Sequence, residues 1–222
     1  AVTNKIHDDD GDVMSVFWNK NDTTRQLLYG SSIIEIPASG SGGNLAAGGN
    51  QIFTVNNDID ALGDLYLQIT TSGVTSLALT AFQLLSCIKR IEFMVGTQVW
   101  ETLENDDIGA LNMTEMSEDA FESFFLAMSG GFSSTGTRNT VNISSSAVST
   151  DLTSDVAGVL RVPALSRSVC TKFAKFTDIS ENSYLLAGAP HQTVKIRVYM
   201  ATSLPSGITN LNLKLFGQCR VM

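Results

Sequence analysis

The sequence predicts an all-β sandwich of about eight strands with one helix inserted. Three observations carry this reading. Over most of the chain the apolar residues recur every second position, as half-buried strands require. Turn-forming residues punctuate those runs. A single segment changes to the helical period.

Taken in order, the first strand is expected over residues 28–36 and the second over 51–55, separated by a Gly/Ser/Ala-rich stretch within 37–50. Leu65, Leu67 and Ile69 then alternate with Tyr66, Gln68 and Thr70, and Ile91, Phe93 and Val95 alternate with Arg90 and Glu92. Gly96-Thr97 joins the second of these runs to a strand over 98–103, which reads as a hairpin because glycine accepts the positive φ of a tight turn.

Phe121, Phe124, Phe125 and Met128 follow at helical spacing. Ser117-Glu118-Asp119 supplies the cap and acidic first turn, and Gly130-Gly131 the stop. Asp106 and Asp107 open this helical region. Residues 133–155 hold twelve Ser or Thr and predict a long exposed loop. Beyond it come a strand over 159–162, a broken one near 173–176, and two clear ones. In these, Val194, Ile196, Val198 and Met200 alternate with Lys195, Arg197 and Tyr199, and Leu211, Leu213 and Leu215 alternate with Asn212 and Lys214. Such a series describes an eight-stranded jelly-roll sandwich with one inserted amphipathic helix and a long Ser/Thr-rich loop.

The 222 residues carry 14 Lys and Arg against 22 Asp and Glu, a net charge of −8, which disfavours a nucleic-acid grip built on clustered cations. With 43% apolar residues the chain can bury a sizeable core. No apolar run is long enough for a transmembrane helix, and the start, Ala-Val-Thr-Asn-Lys before an Asp cluster, is unlike a signal peptide. Only 16% of residues are charged, so much of the surface is small, polar or apolar, as suits a subunit whose flanks are covered by neighbours.

Catalytic and metal motifs are not found. The Gly-rich stretch over 39–50 has no lysine for a phosphate loop and no GxGxxG order, and no GxSxG string occurs. His7 and His191 are the two histidines, and His191 reads as a residue at the start of a strand rather than as a base. Cys87, Cys170 and Cys219 are far apart and form no zinc set, Cys87 fitting a small buried thiol. The cluster Asp8, Asp9, Asp10, Asp12 fails the calcium-loop frame around Gly11, because Ile6 and Phe17 would fall at ligand positions. The sequons at Asn21, Asn112 and Asn142 are read as chance matches. The expectation is a protein with no cofactor, no metal, no small-molecule substrate and no catalytic turnover.

Several strings together resemble the first jelly roll of the major capsid proteins of large double-stranded DNA viruses. They are Gly63-Asp64-Leu65 with its strand, the run from Leu84 to Val99 containing Ile91-Glu92-Phe93-Met94-Val95-Gly96-Thr97-Gln98, and Leu111-Asn112-Met113-Thr114 in the helical region. Val16-Phe17-Trp18 ahead of Tyr29-Gly30-Ser31-Ser32-Ile33-Ile34-Glu35-Ile36, and Tyr184-Leu185-Leu186 with the strand following His191, extend the likeness over most of the chain.

The resemblance implies a capsid protein that self-assembles with its own copies and other capsid proteins into an icosahedral shell, located in the virion and assembled in the host cell. Family members usually hold two rolls per chain. This sequence is therefore either one half of such a protein or a single-roll relative, for example a vertex (penton) or minor capsid protein. Outside this class, a jelly-roll carbohydrate-binding module is the alternative. The expected organisation is an N-terminal arm over 1–25 and a single jelly-roll domain over 26–222. Phe17 and Trp18 on the arm are the candidate intersubunit contact, either anchoring on a neighbour or packing on their own barrel.

Overall fold

The computed structural model describes residues 6–7, 13–14, 30–40, 43–55, 59, 61–74, 77–79, 81–115, 117–135, 148–152, 155–162, 184–185 and 193–221. Two antiparallel sheets face each other. One runs in the order β10 (Phe132–Ser133), β12 (Val156–Val162), β6 (Ala61–Ser72), β15 (Asn210–Val221), β3 (Gly30–Ile36), with β13 (Tyr184–Leu185) also paired to β6. The other runs β4 (Ala38–Ser39), β5 (Asn50–Thr54), β14 (Val194–Met200), β8 (Ile88–Val95), β9 (Gln98–Glu104). Outside them, β1 (Ile6–His7) pairs with β2 (Val13–Met14), and β7 (Leu77–Leu79) with β11 (Val148–Leu152).

The pairing order has a simple logic. The longer strands pair first with last, namely β3 with β15, β5 with β14, β6 with β12 and β8 with β9, all antiparallel. The chain is thus one long hairpin rolled around a common interior, which is the jelly-roll arrangement. Its tip is the expected turn at Gly96, where φ is 62° and a side chain would be strained.

The thirteen apolar residues that alternate along these strands in the sequence are all buried, from Leu67, Ile69, Ile91, Ile196, Val198, Leu211 and Leu215 at 0% exposure to Leu213 at 9%. Their alternation with half-exposed neighbours along β14 and β12 is the period of two made visible.

The structure corrects three expectations. The two sheet paths hold ten strands, not eight, because β4 and β10 add two-residue edges too short to show alternation. The inserted helix is not alone. The expected one is α3 (Glu118–Met128), capped by Ser117, whose hydroxyl accepts the Ala120 N–H at 3.4 Å. Before it stand α1 (Gln83–Ser86) and α2 (Asn105–Glu115). Asp106 and Asp107 mark the start of α2 as expected, but the pattern does not show it as a separate helix, because Gly109 and Asn112 interrupt its apolar face, yet both are buried. Asn112 Nδ2 donates to the Ile108 carbonyl at 2.8 Å and to the Arg161 carbonyl at 3.0 Å, tying α2 to β12. This engagement and 1% exposure close the Asn112 sequon to a glycan.

The third correction concerns the Ser/Thr-rich loop: its residues Val148–Leu152 form β11 against Leu77–Leu79, and Asp155 Oδ1 accepts the Val74 N–H at 3.2 Å. Backbone pairing needs no apolar side chains, so composition alone conceals such a strand. The broken strand near 173–176 lies outside the described residues.

Helices α2 and α3 close the sandwich beside β9 and β12. Gly158 on β12 lets α3 approach, for a Cβ there would lie 2.5 Å from the Ala127 carbonyl oxygen and 2.9 Å from Leu84. Phe82 adopts a left-handed conformation (φ 53°) and is held by Ser129, whose hydroxyl accepts its N–H at 3.1 Å, and by ring contacts with Phe124 and Phe125.

Candidate functional site

Where the interior is apolar and closed, the chemistry available to a partner lies on the two outward sheet faces. On β8 and β14 the residues between the inward ones are Arg90, Glu92, Met94 and Lys195, Arg197, Tyr199, and the register sets Arg90 opposite Tyr199, Glu92 opposite Arg197 and Met94 opposite Lys195. Glu92 is only 6% exposed although it faces away from the core. Two cations cover it: Arg90 Nη2 lies 3.0 Å from Oε1 and Arg197 Nη1 lies 3.7 Å from Oε2. Arg197 Nη1 also donates to the Tyr199 hydroxyl at 3.0 Å, and the Arg90 guanidinium stands 4.3 Å from the Tyr199 ring centre. Its bond to Tyr199 first, then the Glu92 charge, push the Arg90 pKa above its ordinary value against the opposing cost of desolvation.

The other outward face, on β3, β15, β6 and β12, is built differently. Its charges form separate pairs, Lys214 Nζ with Glu35 Oε2 at 3.3 Å and Arg161 Nη2 with Asp64 Oδ1 at 3.2 Å. Between and beside them apolar residues reach solvent, Val159 on β12 at 49% exposure and Ile33 on the edge strand β3 at 66%. An open strand edge with exposed isoleucine is a natural place for another chain to dock.

Among the described residues, neither face shows a nucleophile with a base. Cys87, as expected, is a buried thiol: its Sγ donates to the Gln83 carbonyl at 3.3 Å, and burial pushes its pKa up to about 12. Among the described residues no three His, Cys, Asp or Glu side chains gather as a metal site. No described helix is long and apolar enough to cross a membrane. Phe17, Trp18, His191 and Cys170 lie outside the described residues, as do the side chains of His7 and Cys219. Sequence reading missed the Arg90–Glu92–Arg197–Tyr199 cluster and the exposed Ile33 and Val159. The signal for the cluster was present as the polar phase of the two clearest strands, but only the register brings Glu92 and Arg197 together.

No family model matches the chain, and no curated protein does. Solved structures do. The chain superposes on the quasi-atomic model of the PBCV-1 virus capsid with a TM-score of 0.64 at 11% identity, over 91% of this chain and 45% of that one. The crystal structure of PBCV-1 VP54 fitted into a cryo-EM reconstruction of the virophage Sputnik gives the same values. For the Faustovirus major capsid protein the TM-score is 0.53 at 9% identity, over 92% of this chain and 56% of that one. The chain therefore spans about half the length of the proteins it matches. In its fold it has the jelly roll found in viral major capsid proteins, the likeness that its strand sequences suggest.

Proposed function

We propose that this chain is a structural protein of a viral shell, a capsomer subunit of the major capsid type in an icosahedral double-stranded DNA virus. The observation that carries the reading is the nested pairing of first strand with last in a chain that superposes on the PBCV-1 capsid model over 91% of its length. A rolled ribbon with its interior filled by Leu, Ile, Val and Phe is a rigid block, and its chemistry lies on flanks and edges, where neighbours meet. In this reading the protein acts by assembly with copies of itself and with other capsid proteins, is built into virions in the host cell, and performs no catalytic turnover. It comprises an arm over 1–25 and one jelly-roll domain over 26–222, with Phe17 and Trp18 on the arm contacting a neighbour.

The test is the state of the purified full chain in solution, by light scattering and electron microscopy. Rings, trimers or closed particles that form with rising concentration are the expected result. A protein that stays monomeric at every concentration, alone and with its companion capsid proteins, overturns the reading. Deleting residues 1–21 is expected to leave a folded sandwich that no longer closes shells, since Phe17 and Trp18 bury apolar surface at about 25 cal/mol per Å². Unchanged assembly of that truncation removes the arm from the contact.

A further inference from the structure

We propose that copies of this chain associate head to tail, the acidic helical flank of one docking on the basic outer face of the β5–β14–β8–β9 sheet of the next. The contact deepens the reading of the chain as a self-assembling subunit and rests on it.

Among the described residues the charges are sorted by side. Residues 105–128, spanning α2 and α3, contain no Lys, Arg or His. Asp106, Asp107, Glu118, Asp119 and Glu122 there are all exposed. On the same flank Ala110 is exposed and Met113 is 44% exposed, so apolar surface lies among the acids. An apolar centre within a charged surround is the make-up of a protein interface.

Against this, the described basic side chains gather on the neighbouring strands β8 and β14, as Lys89, Arg90, Lys195 and Arg197. The remaining two, Arg161 and Lys214, sit on the other sheet, each with a carboxylate at 3.2–3.3 Å. Glu92, buried beneath Arg90 and Arg197, stiffens their geometry, and together with exposed Glu104 on β9, which the register sets opposite Arg90, it offsets two of these four charges and leaves the face with an excess of cations, Lys89 and Lys195 foremost. A protein of net charge −8 repels its own copies unless its few cations are concentrated where a second copy's acids arrive. Of the six described cationic side chains four lie on one face, and the exposed acids of α2 and α3 lie on another.

Because the two surfaces differ, the contact is heterologous, and repeating it generates a ring when the rotation closes. A second copy is the occupant that supplies a matching surface of opposite charge together with exposed Met113.

The test uses the full chain and two charge-reversed variants, K89E/K195E on the sheet face and D119K/E122K on the helical flank, with circular dichroism confirming that each folds. Sedimentation of the unaltered protein is expected to show association that weakens as salt rises. Each variant alone is expected to associate more than about tenfold more weakly, because like charges then face each other. An equimolar mixture of the two is expected to regain association, since each supplies the surface the other has lost. Variants that assemble as tightly as the unaltered chain overturn the head-to-tail contact and leave the shell reading intact. Loss of association in the mixture as well as in each variant also overturns it. An unaltered chain that never associates overturns both.

Discussion

The two sheets share one interior but meet the solvent in different ways. On the β5–β14–β8–β9 side, Arg90 and Arg197 cover Glu92 to 6% exposure, and outward Met94 is 7% exposed, so both are buried although they face away from the core. On the β3–β15–β6–β12 side, charges pair two by two and leave Val159 and Ile33 open to solvent. The difference teaches that outward faces of one sandwich are separately composed. Inner faces obey a common rule of apolar filling, whereas each outer face reflects what it is to meet.

The shared interior is expected to respond most strongly. Phe93→Ala removes a ring that is 2% exposed, at a cost of about 3–5 kcal/mol from lost burial and the cavity left behind. Urea denaturation measures it, and an unchanged midpoint would show that the inner faces are not one packed unit. Next in size, Glu92→Ala on the covered outer face strands two guanidinium groups. The cost is roughly 1–2 kcal/mol, less than for a fully buried pair because water still reaches the cations. A loss no larger than for an exposed residue would erase the contrast between the faces.

A pH dependence sharpens the picture of the interior. The Cys87 thiol ionises near 9 when unfolded and near 12 when folded, so its folded form is favoured fully below pH 9. That contribution disappears as pH rises from 9 toward 12. In thermal melts across this range, Cys87→Ala should lose less stability than the parent, and parallel curves would show that the thiol is not buried as described. Smallest of all, Val159→Ser on the open face is expected to change stability by no more than about 0.5 kcal/mol. A larger loss would mean that Val159 already packs against something in the isolated chain.

Much of the fold is legible in the sequence because strand periodicity is local. Val194, Ile196 and Val198 announce their face within five residues, and the Gly96 turn and the Ser117 cap are equally short-range. The helix α2 is legible only at its acidic start, Asp106 and Asp107, since Asn112 is buried to bond the carbonyl of Arg161, a distant partner that no local pattern encodes. The surfaces suited to association are harder still. Arg90, Glu92 and Arg197 read as an ordinary polar phase until the register sets Glu92 against Arg197, and Ile33 is one residue of an expected strand until β3 proves to be an edge.

The pairing of first strand with last also governs when the molecule can become itself. The turn at Gly96 closes the smallest loop, and each further pair must bring together segments separated by more chain than the one before, a cost that grows as the logarithm of loop length. Zipping outward from that tip is the least costly order, because every ladder formed shortens the loop that the next must close. Yet β15, the last described strand, lies between β6 and β3 in the middle of its sheet. On a ribosome, β3 and β6 are made early and wait with open backbone until the partner that separates them emerges. The fold is therefore late and slow to complete, with high contact order, and its nascent form exposes strand edges throughout synthesis.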